Sequence, residues 1–455
     1  MITDRPRCRC KRPRTARNGS ASRRSAAIAG HDAMQDTSAI DIDLSAIDHN
    51  MAAIRRAVGG SCALCPIVKA DAYGLGVGRV ARRLVAAGAE MLAVYSLRQA
   101  IETSAAMNAA VPVLVLMPVH EFDRDDELLR LLLSGQLHVT IHDEANLDAL
   151  EKSARLFGAR LPVHVEIDVG MSRGGVRVED AGRVLRAIHA SSVLELRGIY
   201  AHFTHSRFDE ARTRAQHEAY ARVIHEHRRF IPEGVLEHVA STYAMARSAA
   251  YHRSMVRFGL AWLGYGIDEL EADVPVLRRQ DLRSVVRWTS SVVQAKTIPS
   301  GASVGYGGRW TAERDSTIAL VPVGYADGWP APRHAGAGTQ FVGIVAPDGK
   351  LVHAPVVGAV NMDQISVDVT GLYAGDPHHW IGREVELVSR DLYAPNHLPR
   401  LAAQSGVIVH EFLTRLNPRV PRSVSLGATS IEVLAAARAS LDVGGPTFRV
   451  NSAAG

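Results

Sequence analysis

No apolar run in this 455-residue chain reaches the roughly 18 residues that a membrane span needs, and the N-terminal stretch lacks the apolar core of a secretory signal. A cytoplasmic location is the expectation. Cysteine is scarce: Cys8, Cys10, Cys62 and Cys65 are too few for a disulfide framework in a chain of this length. Cys62 and Cys65 are spaced like a redox pair or half a zinc site, yet no second Cys or His pair stands nearby at ligand spacing. Both are read as structural, and no metal is expected. A composition 47% hydrophobic and 22% charged excludes disordered and collagen-like classes and suits two domains with sizeable cores.

The net charge of +5 belongs to one end. Residues 1–33 hold nine Lys or Arg against Asp4 and Asp32, a balance of +7 that leaves the rest of the chain at −2. The folded body is therefore not expected to bind nucleic acid. Residues 1–38 read as a basic, disordered tail, which could touch nucleic acid or anionic lipid, or could precede a true start at Met34.

From about residue 64 to 262, β-branched runs at 64–69, 91–95, 112–116, 137–141, 162–168, 195–202, 236–241 and 256–262 alternate with amphipathic stretches such as 78–89, 143–157, 179–189 and 209–229. Eight strands, each followed by a helix, fit a (β/α)8 barrel, though a doubly wound open sheet has the same periodicity. After about residue 280 strands dominate, at 284–298, 316–323, 339–345, 354–360, 365–369 and 384–387, with a helix at 402–416 and a strand at 423–426 behind them. The expected organisation is an α/β domain over 39–275 and a mainly β domain over 276–455, with residues 39–45 pairing with the second.

Reactive residue types gather where the barrel strands should end, the usual place for active groups on a barrel. Lys69 ends the first strand, behind the apolar Ile67-Val68, where desolvation lowers an amine pKa toward the range in which it can form a Schiff base with a carbonyl cofactor. Glu166 and Asp168 end the fifth strand, His202 the sixth, Ser241 and Thr242 the seventh, and Arg257, Gly259 and Leu260 lie along the eighth. Loops after the last two strands commonly hold phosphate. Thr242, Gly259 and Leu260 are therefore phosphate candidates, together with Tyr73 beside Lys69.

The run Lys69-Ala70-Asp71-Ala72-Tyr73-Gly74 resembles the pyridoxal-phosphate lysine motif of the alanine racemase family. His238-Val239-Ala240-Ser241-Thr242, Val256-Arg257-Phe258-Gly259, Gly301-Ala302-Ser303-Val304-Gly305-Tyr306-Gly307, Pro322-Val323-Gly324-Tyr325-Ala326-Asp327-Gly328 and Val360-Asn361-Met362-Asp363-Gln364 continue the likeness in order, over about residues 39–425. The resemblance implies a (β/α)8 barrel followed by a mainly β C-terminal domain, in a homodimer that interconverts L- and D-alanine and supplies D-alanine for peptidoglycan. It implies pyridoxal 5'-phosphate as cofactor, joined to Lys69 as an aldimine and held by Tyr73, His202, Ser241, Thr242, Arg257, Gly259 and Leu260. Arg257 would face the pyridine nitrogen and, keeping its own proton, leave that nitrogen unprotonated. Inverting a stereocentre needs acid/base groups on both faces of Cα, here Lys69 and, from the partner subunit, Tyr306. Arg173, Tyr325, Met362 and Asp363 are the implied substrate-binding residues.

Some positions depart from the family pattern. Pro418 stands where relatives have a phosphate-contacting tyrosine, Ser241 replaces an asparagine, Asn361 a residue that is often cysteine, and Leu75 one that is often histidine. Glu166 stands where many relatives carry a lysine modified by carbon dioxide, and its built-in carboxylate is expected to orient Arg173. A broader amino-acid racemase, acting for instance on serine, and a noncatalytic pyridoxal-phosphate carrier are alternative readings. An opposite-face base such as Tyr306 argues against the carrier.

Overall fold

The computed structural model describes residues 37–426 apart from 123, 269, 271, 273–274 and 333–337; the expected tail and the residues after 426 lie outside the described residues. The chain enters through β1 (Ser38–Asp43) and α1 (Leu44–Val58), where the Asp43 carboxylate caps the helix by accepting from the Ser45 and Ala46 N–H groups at 2.8 and 3.2 Å. There follow β2 (Ala63–Pro66), α2 (Lys69–Gly74), α3 (Val77–Ala86), β3 (Leu92–Val94), α4 (Leu97–Ala106), β4 (Val113–Pro118) and α5 (Asp126–Leu133). Next come β5 (Leu137–Ile141), α6 (Glu144–Phe157), β6 (Leu161–Asp168), the short β7 (Val176–Arg177), α7 (Ala181–Ala190), β8 (Leu194–Tyr200), α8 (Glu210–Glu226), β9 (Leu236–His238), α9 (Thr242–Arg247) and β10 (Met255–Phe258).

Parallel pairing runs β3-β4-β5-β6-β8-β9, and β10 pairs with β2. Two seams close the ring: Val68 N–H donates to Ala93 O at 2.9 Å between the β2 and β3 ends, and Arg257 N–H to Ala240 O at 3.0 Å between β9 and β10. This is a (β/α)8 barrel. Alternation along its strands puts Val139, Val163, Val165 and Ile199 into the apolar core. The opposite face carries His138, Thr140, His164, Glu166, Tyr200, His238 and Arg257, all buried, so the barrel interior is polar. Gly198 makes room for it: a Cβ there would lie 2.1 Å from the His164 ring.

Several strands stop earlier than the sequence suggests. β8, β9 and β10 end at Tyr200, His238 and Phe258, so His202, Ser241 and Leu260 sit on the loops beyond. β2 ends at Pro66, and α2 is not an ordinary helix: Ala70, Asp71, Ala72 and Tyr73 all have φ between 53° and 58°, a left-handed turn that costs L-residues roughly 1–2 kcal/mol each. Asp71 repays part of this by accepting the Val77 N–H at 2.7 Å at the start of α3. Cys62 and Cys65 are buried free thiols, pushed up by burial to about 11 and about 12 and so unreactive near neutral pH.

The remaining strands are β11 (Val286–Ser291), β12 (Gln294–Ile298), β13 (Ser303–Val304), β14 (Trp310–Thr311), β15 (Ser316–Val321), β16 (Phe341–Val345), β17 (Leu351–Val357), β18 (Ile365–Asp368), β19 (Glu384–Val388) and β20 (Arg422–Ser425), with α10 (Leu398–Gln404) and α11 (Val409–Arg415) before the last. Nine of the strands form one sheet in the order β12-β15-β18-β17-β16-β19-β11-β1-β20. The run expected as one strand over 284–298 breaks because Val292 N–H bonds Arg383 O and Val293 N–H bonds Leu320 O, so the chain changes neighbours between β11 and β12. The helix expected over 402–416 is two, parted at Gly406, whose φ is 70°.

Asn50, fully buried in α1, stitches the barrel to the β domain. Its Nδ2 donates to Trp262 O at 3.1 Å and Arg283 O at 2.8 Å, and its Oδ1 accepts from Arg283 N–H at 2.7 Å. Asn50→Ala removes all three bonds and strands the two carbonyls and the N–H. We expect it to lower the unfolding free energy by about 3 kcal/mol in urea titrations.

Candidate active site

One cavity of about 750 Å³ opens at the mouth of the barrel, and its walls include Lys69, Tyr73, Glu166, Arg173, His202, Ser241, Thr242, Arg257, Gly259 and Leu260. Ten of the eleven barrel residues singled out in the sequence therefore meet in one place; the eleventh, Asp168, is turned to its own loop, where its carboxylate accepts from the Gly170, Met171 and Ser172 N–H groups. Lys69 stands open to this cavity but is walled by protein; burial lowers its pKa, and the positive charge of Arg173 pushes the same way. A larger neutral fraction makes the amine a better nucleophile.

The Tyr73 hydroxyl presses against bare backbone, since a Cβ on Gly259 would lie 2.1 Å from it. Thr242 and Leu260 adjoin, both within 3.3 Å of where a side chain on Gly266 would start. Hydroxyls, exposed main chain and nearby cations suit an anionic group at this end. His202 is pushed down to about 3 by burial, with the charges of Arg257, Arg173 and Lys69 adding to the effect. It is a neutral ring at working pH.

Arg257 is 5% exposed, yet among the described residues no carboxylate is a hydrogen-bond partner. Its guanidinium donates to Ala201 O at 2.9 Å, to His238 O, and to His238 Nδ1 at 2.7 Å, and lies 4.5 Å from the Tyr200 ring centroid. An arginine can only donate, so His238 Nδ1 is a bare acceptor and its Nε2–H points on to His164 Nδ1 at 2.9 Å. His164 Nε2–H passes the same sense to His138 Nδ1 at 2.9 Å. Three neutral histidines of one tautomer thus run across the barrel, every one with its pKa lowered chiefly by burial.

Glu166 differs from expectation. Its carboxylate accepts from the Tyr200 hydroxyl at 3.2 Å and lies 3.3 Å from His142 Nδ1, and it makes no ion pair with Arg173. His142 donates through Nε2 to Leu116 O at 3.0 Å while its Nδ1 accepts the Gly175 N–H at 3.1 Å, which describes a neutral ring, and burial lowers its pKa accordingly. Sequence reasoning missed His142, Tyr200 and His410 in the cavity wall. Tyr200 could have been found two residues before His202 on the inward face of one strand; His410, on α11, gave no local signal.

Tyr306, Tyr325, Met362 and Asp363 do not line the cavity of their own chain. They lie on one exposed patch of the β domain, with Tyr306 80% exposed. Tyr325 N–H bonds Asn361 O at 3.0 Å, Asp363 accepts from Arg419 at 2.7 Å, and the turn at Gly305 packs on Ala359.

A barrel mouth with one softened lysine, an anion cradle and a buried arginine defines an enzyme site built for a carbonyl cofactor. Residues 42–266 match the family model for the alanine racemase N-terminal domain and residues 285–424 that for the alanine racemase C-terminal domain. The chain is 32% identical over 386 residues to the alanine racemase of Desulfovibrio desulfuricans, covering 84% of this chain and 96% of that one. Among solved structures it is similar to alanine racemase from Streptomyces lavendulae, with a TM-score of 0.75, 26% identity, and 87% and 98% of the two chains covered. Alanine racemase from Bartonella henselae, solved with covalently bound pyridoxal phosphate, has the same fold, with a TM-score of 0.71, 24% identity, and 86% and 100% covered. The chain belongs to the alanine racemase family, and it is an isomerase of the racemase class.

The histidine relay makes stability depend on pH. Each of the three binds a proton more readily unfolded than folded, so its contribution is fully present above about pH 6.5 and is lost as pH falls toward the folded value, about 4 for His138. Urea midpoints are expected to drop between pH 7.5 and 4.5, and His138→Gln to flatten part of that drop.

Proposed function

We propose that this protein is an alanine racemase that uses pyridoxal 5'-phosphate and supplies D-alanine for peptidoglycan precursors. The observation that carries the reading is the convergence of Lys69, Tyr73, His202, Ser241, Thr242, Arg257, Gly259 and Leu260 on one cavity. The donors there fit the cofactor: the cradle of Tyr73, Thr242, Gly259 and Leu260 suits a phosphate, and Lys69 a carbonyl. When bound, pyridoxal phosphate supplies an electron sink that makes the Cα proton of an amino acid labile.

The chain's own residues do the rest. Arg257, held by two carbonyls and one neutral histidine, keeps its proton and would face the ring nitrogen as a donor only, which limits the sink and suits simple proton movement. Lys69 takes or returns the proton on one face of Cα. Tyr306 of the partner subunit does so on the other, which accords with its exposure on a patch apart from its own chain's cavity. Arg173 and the backbone N–H of the partner's Met362 receive the substrate carboxylate, while the partner's Asp363 supports that loop and the partner's Tyr325 narrows the entrance. A wider substrate range that includes serine has one observation in its favour: Asn361 Oδ1, beside Met362, has no hydrogen-bond partner among the described residues and, contributed by the partner subunit, is free to accept from a substrate hydroxyl.

Incubated with L-alanine, the protein should drive the mixture to equal amounts of the two enantiomers by chiral chromatography, since they have the same free energy. Borohydride reduction of the loaded protein should put the pyridoxyl group on Lys69 in peptide maps; a label on another lysine would overturn that assignment. Inactive Lys69→Ala and Tyr306→Phe chains, once mixed, should recover about one quarter of wild-type activity, because half of randomly exchanged dimers hold one intact site of two. Subunit exchange verified with distinct tags but without recovered activity rules out the shared site.

A further inference from the structure

His410 is a cavity residue that the mechanism above leaves unused. It sits on α11, which belongs to the β domain yet packs on the left-handed turn of the barrel: a Cβ on Gly74 would lie 2.8 Å from Leu413 O. This brings the His410 ring within 5.8 Å of the Tyr73 ring, on the wall that also carries Lys69. Its ring nitrogens have no hydrogen-bond partner among the described residues, whereas those of His142, His238 and His397 all find one. Burial and the charge of Lys69 push His410 down to about 4, so at neutral pH the ring offers one N–H donor and one bare nitrogen.

The surroundings favour an anion as the acceptor of that donor. Lys69 and Arg173 bring positive charge to the cavity, and the Tyr73 hydroxyl, Thr242 and the bare backbone at Gly259 form the adjoining wall. Of the carboxylates lining it, Glu166 is already held by Tyr200. We infer that His410 is a phosphate-binding residue, donating its ring N–H to the phosphate of pyridoxal phosphate beside Tyr73 and so tying the β domain to the cofactor. The inference rests on reading this cavity as the pyridoxal-phosphate site.

The test compares pyridoxal phosphate with pyridoxal, which lacks the phosphate, on full-length protein stripped of cofactor. A hydrogen bond to a charged group is worth about tenfold or more in affinity. His410→Ala should therefore weaken pyridoxal phosphate by about 10- to 100-fold and leave pyridoxal unchanged, with His410→Gln, which keeps a donor, recovering most of the loss. The phosphorus NMR resonance of the bound cofactor should shift in His410→Ala. Equal weakening of both ligands would show a packing role against Tyr73, and no weakening of either would show no role; both outcomes overturn the inference. A wild-type protein that binds neither ligand would instead overturn the reading of the site itself.

Discussion

A guanidinium that cannot lose its proton, placed in the middle of a barrel with no carboxylate among the described residues bonded to it, dictates most of what surrounds it. Leaving such a charge unsatisfied in a low-dielectric interior would cost several kcal/mol. Arg257 is instead met by two main-chain carbonyls, a tyrosine ring and a histidine nitrogen. Because its donors are fixed, the tautomer of His238 is fixed, and through it those of His164 and His138. Gly198 is small for the same reason, since the His164 ring fills the place of its side chain. The polar barrel interior is the solvation shell of one cation.

The left-handed turn after Lys69 is the second constraint. Four successive residues with positive φ store strain that persists only where packing over-determines it. Here Tyr73 is buried beneath Gly259 and Trp262, and α11 closes over Gly74. The turn sets Lys69 and Tyr73, four residues apart, on the wall of the same cavity and holds the Tyr73 ring under Gly259. Strain here buys placement.

Much of this was legible in the sequence because strand alternation and family motifs are local signals. The eight barrel strands, the change to a β-rich second half and the ten cavity residues all follow from runs of at most seven or eight residues. What was not legible depends on distance. The Glu166 carboxylate meets Tyr200 and His142 from neighbouring strands, and nothing in the run around Glu166 distinguishes those partners from Arg173 seven residues on. His410 reaches the site only because α11 folds back across the domain boundary. Strands end earlier than their apolar pattern wherever apolar residues, such as those from Leu260 to Leu263, continue into a loop that is itself buried.

The placement of β1 bears on how the molecule is made. It leaves the ribosome before any barrel strand, yet it lies between β11 and β20, and Ser423 bonds Ile40 across a separation of 383 residues. At roughly 5–20 residues per second of synthesis, this edge waits roughly 20–80 seconds for its last neighbour. During that interval an alternating strand with one unpaired main-chain edge is tethered to a nearly finished barrel, and a chain broken off shortly before Arg422 keeps that edge open for good. The polypeptide thus carries its own mark of progress: its first strand is covered only once the chain has been made through β20, and products that stop before Arg422 display an open strand edge.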